Sequence, residues 1–148
     1  MAKQKRHVLK NNQQNTSVVS ATQDNDTLYT TSNNKRETFV GAKGNVLIDP
    51  SGTAGGSIAI VLHQKREGTD DPTLSVTSGQ QISDRMQDVL WSWIHHVDAD
   101  VDDLVSIPLD VRSKRKMKEG DSLVMSTKAS GSGIGTVISA INNFIMEA

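Results

Sequence analysis

No cysteine occurs in this chain of 148 residues. Disulfides, thiolate metal sites and a thiol nucleophile are therefore excluded, and the absence fits a reducing compartment. Aromatic residues are scarce: Tyr29, Phe39, Trp91, Trp93 and Phe144 are the whole set. With only 35% apolar residues, the material for a core is thin for a domain of this length. Some burial is therefore expected to come from neighbouring copies, as in obligate assemblies. No apolar run approaches the ~20 residues a membrane-spanning helix needs, so no membrane partner is expected. The basic N-terminal residues are not followed by an apolar segment and do not read as a secretory signal. Without one, the sequons Asn15-Thr16-Ser17 and Asn25-Asp26-Thr27 read as chance matches.

The net charge is only −1, but it is unevenly placed. Lys3, Lys5, Arg6 and Lys10 put four positive charges, and no acid, in the first ten residues. The other 138 residues hold twelve Lys and Arg against seventeen Asp and Glu, a net of −5. A basic arm on an acidic body is a layout of interaction tails. Residues 1–16 are polar, rich in Asn and Gln, and too poor in apolar groups to fold alone. They are expected to be a short, disordered basic arm.

Residues 17–148 read as one β domain. Val18-Val19, Leu28 to Thr31, Thr38 to Val40 and Val46 to Ile48 are short strand candidates. Gly41 to Gly44 lies between the last two, separating them as two strands. Ser57 to His63 is the clearest strand, with Ile58, Ile60 and Leu62 on one face. Leu74 to Thr77 alternates again, and Gln80 to Asp88 reads as a helical turn or a polar loop. In Val89 to Val97 the period of two places Val89, Trp91, Trp93, His95 and Val97 together; a helix over 83–96 is the alternative, disfavoured by the β-branched and aromatic residues of its second half. Val105, Ile107, Leu109 and Val111 alternate, and Pro108 assigns that strand to a sheet edge or a bulge. Ser122 to Ser126 follows. In Thr136 to Met146 a helix would put Val137, Ile141 and Ile145 on one face; a strand, which is favoured, places Val137, Ser139, Ile141, Asn143 and Ile145 on one side and Ile138, Ala140, Asn142 and Phe144 on the other. Eight or nine short strands separated by turns predict an all-β sandwich or barrel, with an eight-stranded jelly roll as one standard answer.

Few motifs carry chemistry. Gly131-Ser132-Gly133-Ile134-Gly135 lacks the Gly-Lys-Ser/Thr ending of a phosphate loop. No Gly-x-Ser-x-Gly elbow occurs, and the glutamates are scattered, so no enzyme and no small-molecule substrate are expected. Asp98, Asp100 and Asp102 have the spacing that opens a calcium loop. However, Asp103 stands where that loop needs glycine, and Leu109 where it needs glutamate. An acidic solvent loop is the plainer reading, with structural Ca²⁺ the sharper one. Arg112, Lys114, Arg115, Lys116 and Lys118 crowd five cations into seven residues. In a strand, Arg112, Lys114, Lys116 and Lys118 share a face, a ladder suited to phosphates. A solvated edge guarded by lysines, a salt-bridged seam between subunits and a nuclear localisation signal remain open beside it. Trp91 and Trp93 suit base stacking, or core and interface anchoring.

The stretch Ser106-Ile107-Pro108-Leu109-Asp110-Val111-Arg112-Ser113-Lys114-Arg115-Lys116-Met117-Lys118-Glu119-Gly120-Asp121-Ser122-Leu123-Val124, with Asp88-Val89-Leu90-Trp91 ahead of it, carries a resemblance. An apolar strand leads into a basic Arg-Lys-Met stretch, then Gly-Asp, then a strand of Leu and Val. This resembles the small capsid proteins of circular single-stranded DNA viruses that encode a replication initiator. The short basic arm is also similar to that of satellite-virus coat proteins. The resemblance covers roughly residues 88–126, about a quarter of the chain. It implies a single jelly roll, with sixty copies closing an icosahedral shell around nucleic acid. It also implies a location in the virion, with assembly in the host cytoplasm or nucleus. The family often has longer arginine-rich arms. Here the arm carries four cations, which shifts the expected genome contact toward Arg112 to Lys118. Two other classes compete. An OB-like single-stranded nucleic-acid-binding module would use the basic run with Trp91 and Trp93. A phage decoration or attachment sandwich would need only the polar β composition.

Overall fold

A computed structural model describes residues 8–32, 35–50, 54–77 and 80–147. The strands are β1 (Val8–Val18), β2 (Asp24–Thr30), β3 (Glu37–Pro50), β4 (Gly56–Lys65), β5 (Val89–Val97), β6 (Val105–Val111), β7 (Arg115–Met117), β8 (Ser122–Ala129) and β9 (Gly135–Glu147). Among the described residues the one helical element is a 3₁₀ turn, Met86–Asp88.

The strands form two antiparallel sheets. One has the order β1-β9-β3-β6, with three-residue β7 also pairing β3; the other has the order β2-β8-β4-β5. The pairs nest along the chain: β1 with β9, β2 with β8, β3 with β6, β4 with β5. Successive nested pairs fall in alternate sheets, which is the eight-stranded jelly roll expected from the strand pattern. The five-stranded barrel of an OB-type module is not formed.

The core follows the period-two patterns. Ile58, Ile60 and Leu62 of β4 and Val137, Ile141 and Ile145 of β9 are fully buried between the sheets, with Phe39, Ile48 and Leu123. Ser139 and Asn143 share that inner face of β9 and are buried with it. The other face of β4 is buried too. Ala59 and Val61 lie under Leu74 and Ile82 of the long β4–β5 connection. Strand β6 ends its sheet, as Pro108 requires of a residue that cannot donate to a ladder.

Four expectations are corrected. Residues 8–16 of the expected arm belong to β1, which pairs with β9 in unbroken register from Val8 opposite Met146 to Val18 opposite Thr136. A polar segment gains strand structure when a long partner satisfies its backbone groups, whatever its propensity. Residues 1–7, with Lys3, Lys5 and Arg6, lie outside the described residues.

Gly41 to Gly44 does not separate two strands but is the middle of continuous β3. A Cβ at Gly41 would meet the Val111 carbonyl, and one at Gly44 the Ala140 carbonyl. Glycine is there for close approach of neighbouring strands rather than for turning. Leu74 to Thr77 is not a strand; Leu74 makes one isolated bridge to Ser83.

Lastly, β5 does not keep a single face. Its register against β4 shifts between Trp91, opposite Leu62, and Val89, opposite His63. This bulge turns Leu90 onto the main core and Val89 onto the outer cluster.

Candidate nucleic-acid interface and assembly edge

The basic run begins where β6 ends. Arg112 to Lys114 are outside any strand, so the four-residue ladder expected on one strand face is interrupted. From Lys114 the alternation holds. Lys114, Lys116 and Lys118 are exposed, Arg115 is half-buried and Met117 is buried, because β7 pads Phe39, Thr38 and Glu37 of β3. Arg112 lies 3.8 Å from Asp110, both well exposed, a contact of little energetic weight. No ion pair among the described residues engages Lys114, Lys116 or Lys118.

A buried carboxylate sets the turn that follows. Asp121, 7% exposed, accepts from the Lys118 N–H at 2.9 Å and the Glu67 N–H at 3.1 Å. Gly120 has φ +84, the left-handed conformation that closes this turn. The Gly120 N–H donates to the Thr31 carbonyl, and the Thr31 N–H to the Asp121 carbonyl. The Gly-Asp pair of the sequence is thus the clamp that joins β7, β8 and the β4–β5 connection. Beside it the Gln64 side chain donates to the Lys116 carbonyl at 3.0 Å. Together these groups wall an open cleft of about 520 Å³ whose five cations, Arg66, Lys114, Arg115, Lys116 and Lys118, outnumber its three acids, Glu67, Glu119 and Asp121. Sequence reading missed Gln64 and Arg66, which a 50-residue separation hides. Lys10 is placed in β1, opposite Phe144.

The two tryptophans part company. Trp91 is half-buried and packs on the main core. Trp93, two residues on, is 44% exposed at the outer strand of its sheet. Ile94 on the opposite face is 48% exposed, and Leu104, just before β6, 59%. Asp98, Asp100 and Asp102 are exposed in the turn and extended segment between β5 and β6, not along a strand face. Asp100 takes φ 65, and Asp98 lies 3.2 Å from His96 Nε2. Among the described residues no three acidic or imidazole groups gather as a metal site.

One buried polar chain was not legible in the sequence. Ser126 Oγ donates to Asn25 Oδ1 at 2.6 Å, so at 2.8 Å it accepts from His63 Nε2–H. The same Asn25 oxygen accepts from Gln23, whose amide holds Leu74 N–H and the Pro72 carbonyl. His63 Nδ1 is buried and has no partner among the described residues. Burial lowers the His63 pKa to about 4; Lys65 and Arg85 add to the lowering, and Asp71 and Asp88 oppose it. The folded pKa is thus below the unfolded value near 6.5, and the unfolded chain binds the proton more readily. Stability from this site is full above about pH 6.5 and is lost as pH falls toward 4. The loss reaches up to about 3 kcal/mol. Thermal unfolding followed by tryptophan fluorescence from pH 7 to 4 checks this, with His63→Gln expected to flatten the profile in that window.

The topology defines the molecule as an eight-stranded jelly-roll sandwich, with a basic cleft at one end of β6 and an apolar edge at β5. No family model and no curated protein matches the chain. Among solved structures, it is similar to that of Desmodium yellow mottle tymovirus, at 11% identity and a TM-score of 0.40, covering 100% of this chain and 92% of the other. It is similar to the decameric BFDV capsid protein at 11% identity and a TM-score of 0.40, covering 97% and 99%. A third likeness is to infectious bursal disease virus, Gx strain, at 11% identity and a TM-score of 0.43, covering 97% of this chain and 32% of the other.

Proposed function

We propose that this chain is the coat subunit of a small icosahedral shell, built from sixty copies and enclosing nucleic acid. A jelly roll alone supports many functions, so the weight rests on the surface. The observation that carries the reading is the exposed apolar edge: Trp93 and Ile94 lie bare on the outer strand β5, with Leu104 also bare just ahead of β6. Side chains of this size on an open sheet edge favour association. The resemblance of residues 88–126 to small capsid proteins points the same way. The exposed cations at Lys114, Lys116 and Lys118, which make no ion pair among the described residues, support a contact with phosphates. In this reading the protein's place is the virion, and its partners are its own copies and the packaged nucleic acid.

Light scattering after size exclusion tests it. Sixty copies of 16.0 kDa come to about 960 kDa, the mass expected of a closed particle. A stable monomer or trimer at physiological salt overturns the shell, and a trimer would favour a decoration or attachment protein.

A further inference from the structure

The two sheets have five edge strands, β1, β6 and β7 in one and β2 and β5 in the other, and β2, β6 and β7 carry a guard. Strand β2 holds Asp24 and Asp26 and a register shift between Thr27 and Tyr29. Strand β6 holds Pro108 and Asp110. Strand β7 holds the exposed Lys116. Charges, proline and bulges are the devices by which sheet edges avoid pairing with another chain. Strand β5 differs. From Val89 to Val97 it contains no Asp, Glu, Lys, Arg, Pro or Gly. Its one bulge is confined to the start, at Leu90. From Trp91 opposite Leu62 to Val97 opposite Gly56 its register is unbroken.

That straight segment has β4 as its strand partner on one side, and its other side ends the sheet. Trp93 and Ile94 stand at its middle on opposite faces, both about half exposed. The edge therefore has an exposed apolar side chain on each face, flanked by the neutral polar Ser92, His95 and His96, and is regular in register. Its composition is self-complementary, since antiparallel pairing of the segment with itself brings no like charges together.

Resting on the shell reading above, we propose that β5 pairs antiparallel with β5 of a second copy across a two-fold axis at Ile94. The pairing joins two β2-β8-β4-β5 sheets into one continuous sheet of eight strands. It satisfies the outward N–H and C=O groups of both edges and covers Trp93 on one face and Ile94 on the other. The contact is isologous, with the same patch on both copies, as a two-fold demands. In a symmetric antiparallel pair, one residue on the axis faces its own counterpart, with Cα atoms about 4.5–5.5 Å apart. A cysteine at that residue therefore lies within disulfide reach of its own copy.

The chain's lack of cysteine makes the experiment clean, because a single introduced thiol can bridge only between molecules. Ser92→Cys, Trp93→Cys and Ile94→Cys are oxidised in the full-length protein, with Ser106→Cys on β6 as the control. The expected result is near-complete dimer on a non-reducing gel at one of the three β5 positions and little at Ser106. Ile94→Lys, which sets two charges on the axis, is expected to remove the large particle while the far-ultraviolet spectrum stays β. Large particles with no β5 dimer above the control overturn this contact and leave the shell standing. Cross-linked β5 dimers without large particles keep the contact and overturn the shell. A monomer without cross-links overturns both.

Discussion

Asp121→Ala is expected to destabilise the fold by about 3–6 kcal/mol, since hydrogen bonds to a charged acceptor contribute about 1.5–3 kcal/mol each and two are lost. The carboxylate is buried, and its partners are the backbone N–H groups of Lys118 and Glu67. Neither donor can turn to another acceptor without opening the turn. For a domain of this size the thermal midpoint falls by roughly 10 °C or more. Asp121→Asn retains one acceptor oxygen and is expected to fall between the wild type and alanine. Circular dichroism melts of the three proteins order them. An alanine variant as stable as wild type would mean that the clamp does not hold β7 against the β4–β5 connection.

The Lys114→Ala, Lys116→Ala, Lys118→Ala triple variant is expected to weaken binding to nucleic acid roughly fifty- to hundredfold at 0.15 M salt. Each released phosphate contact contributes about 0.7–0.9 to the slope of log K against log salt, so the slope should flatten by about 2–3. The fold should be little changed, because all three side chains are exposed and make no ion pair among the described residues. Fluorescence anisotropy with a labelled single strand, titrated at several salt concentrations, measures both quantities. An unchanged slope removes the cleft as the phosphate contact.

What could be read in the sequence was whatever depends on neighbours in the chain. The alternation in Ser57 to His63 identifies β4 and its inner face, because a strand has a side-chain period of two; in Thr136 to Met146 a strand is favoured over a helix, and the fold decides which of its two sides is buried. Pro108 marks an edge because it lacks a donor, and β6 is an edge. The exposure of Lys114, Lys116 and Lys118 against buried Met117 is the same period-two arithmetic. The absence of cysteine and of charge within Val89 to Val97 is likewise a property of the string itself.

The tertiary structure decided what depends on distant partners. Residues 8–16 are strand because β9, at the other end of the chain, pairs with them. Gly41 and Gly44 read as a separation between strands and are sheet, because their neighbours' carbonyls crowd the space of a Cβ. A single bulge at Leu90 separated Val89 from Trp91, which a strict period had placed together. Gln64 and Arg66 reach the basic cleft only because the Asp121 clamp draws the end of β4 to β7. Above all, Trp91 and Trp93 are equivalent in the sequence, and the fold packs one, half-buried, against the core and leaves the other open at the edge of a sheet. Local patterning sets which residues can face inward; where each strand stands in its sheet sets which of them do.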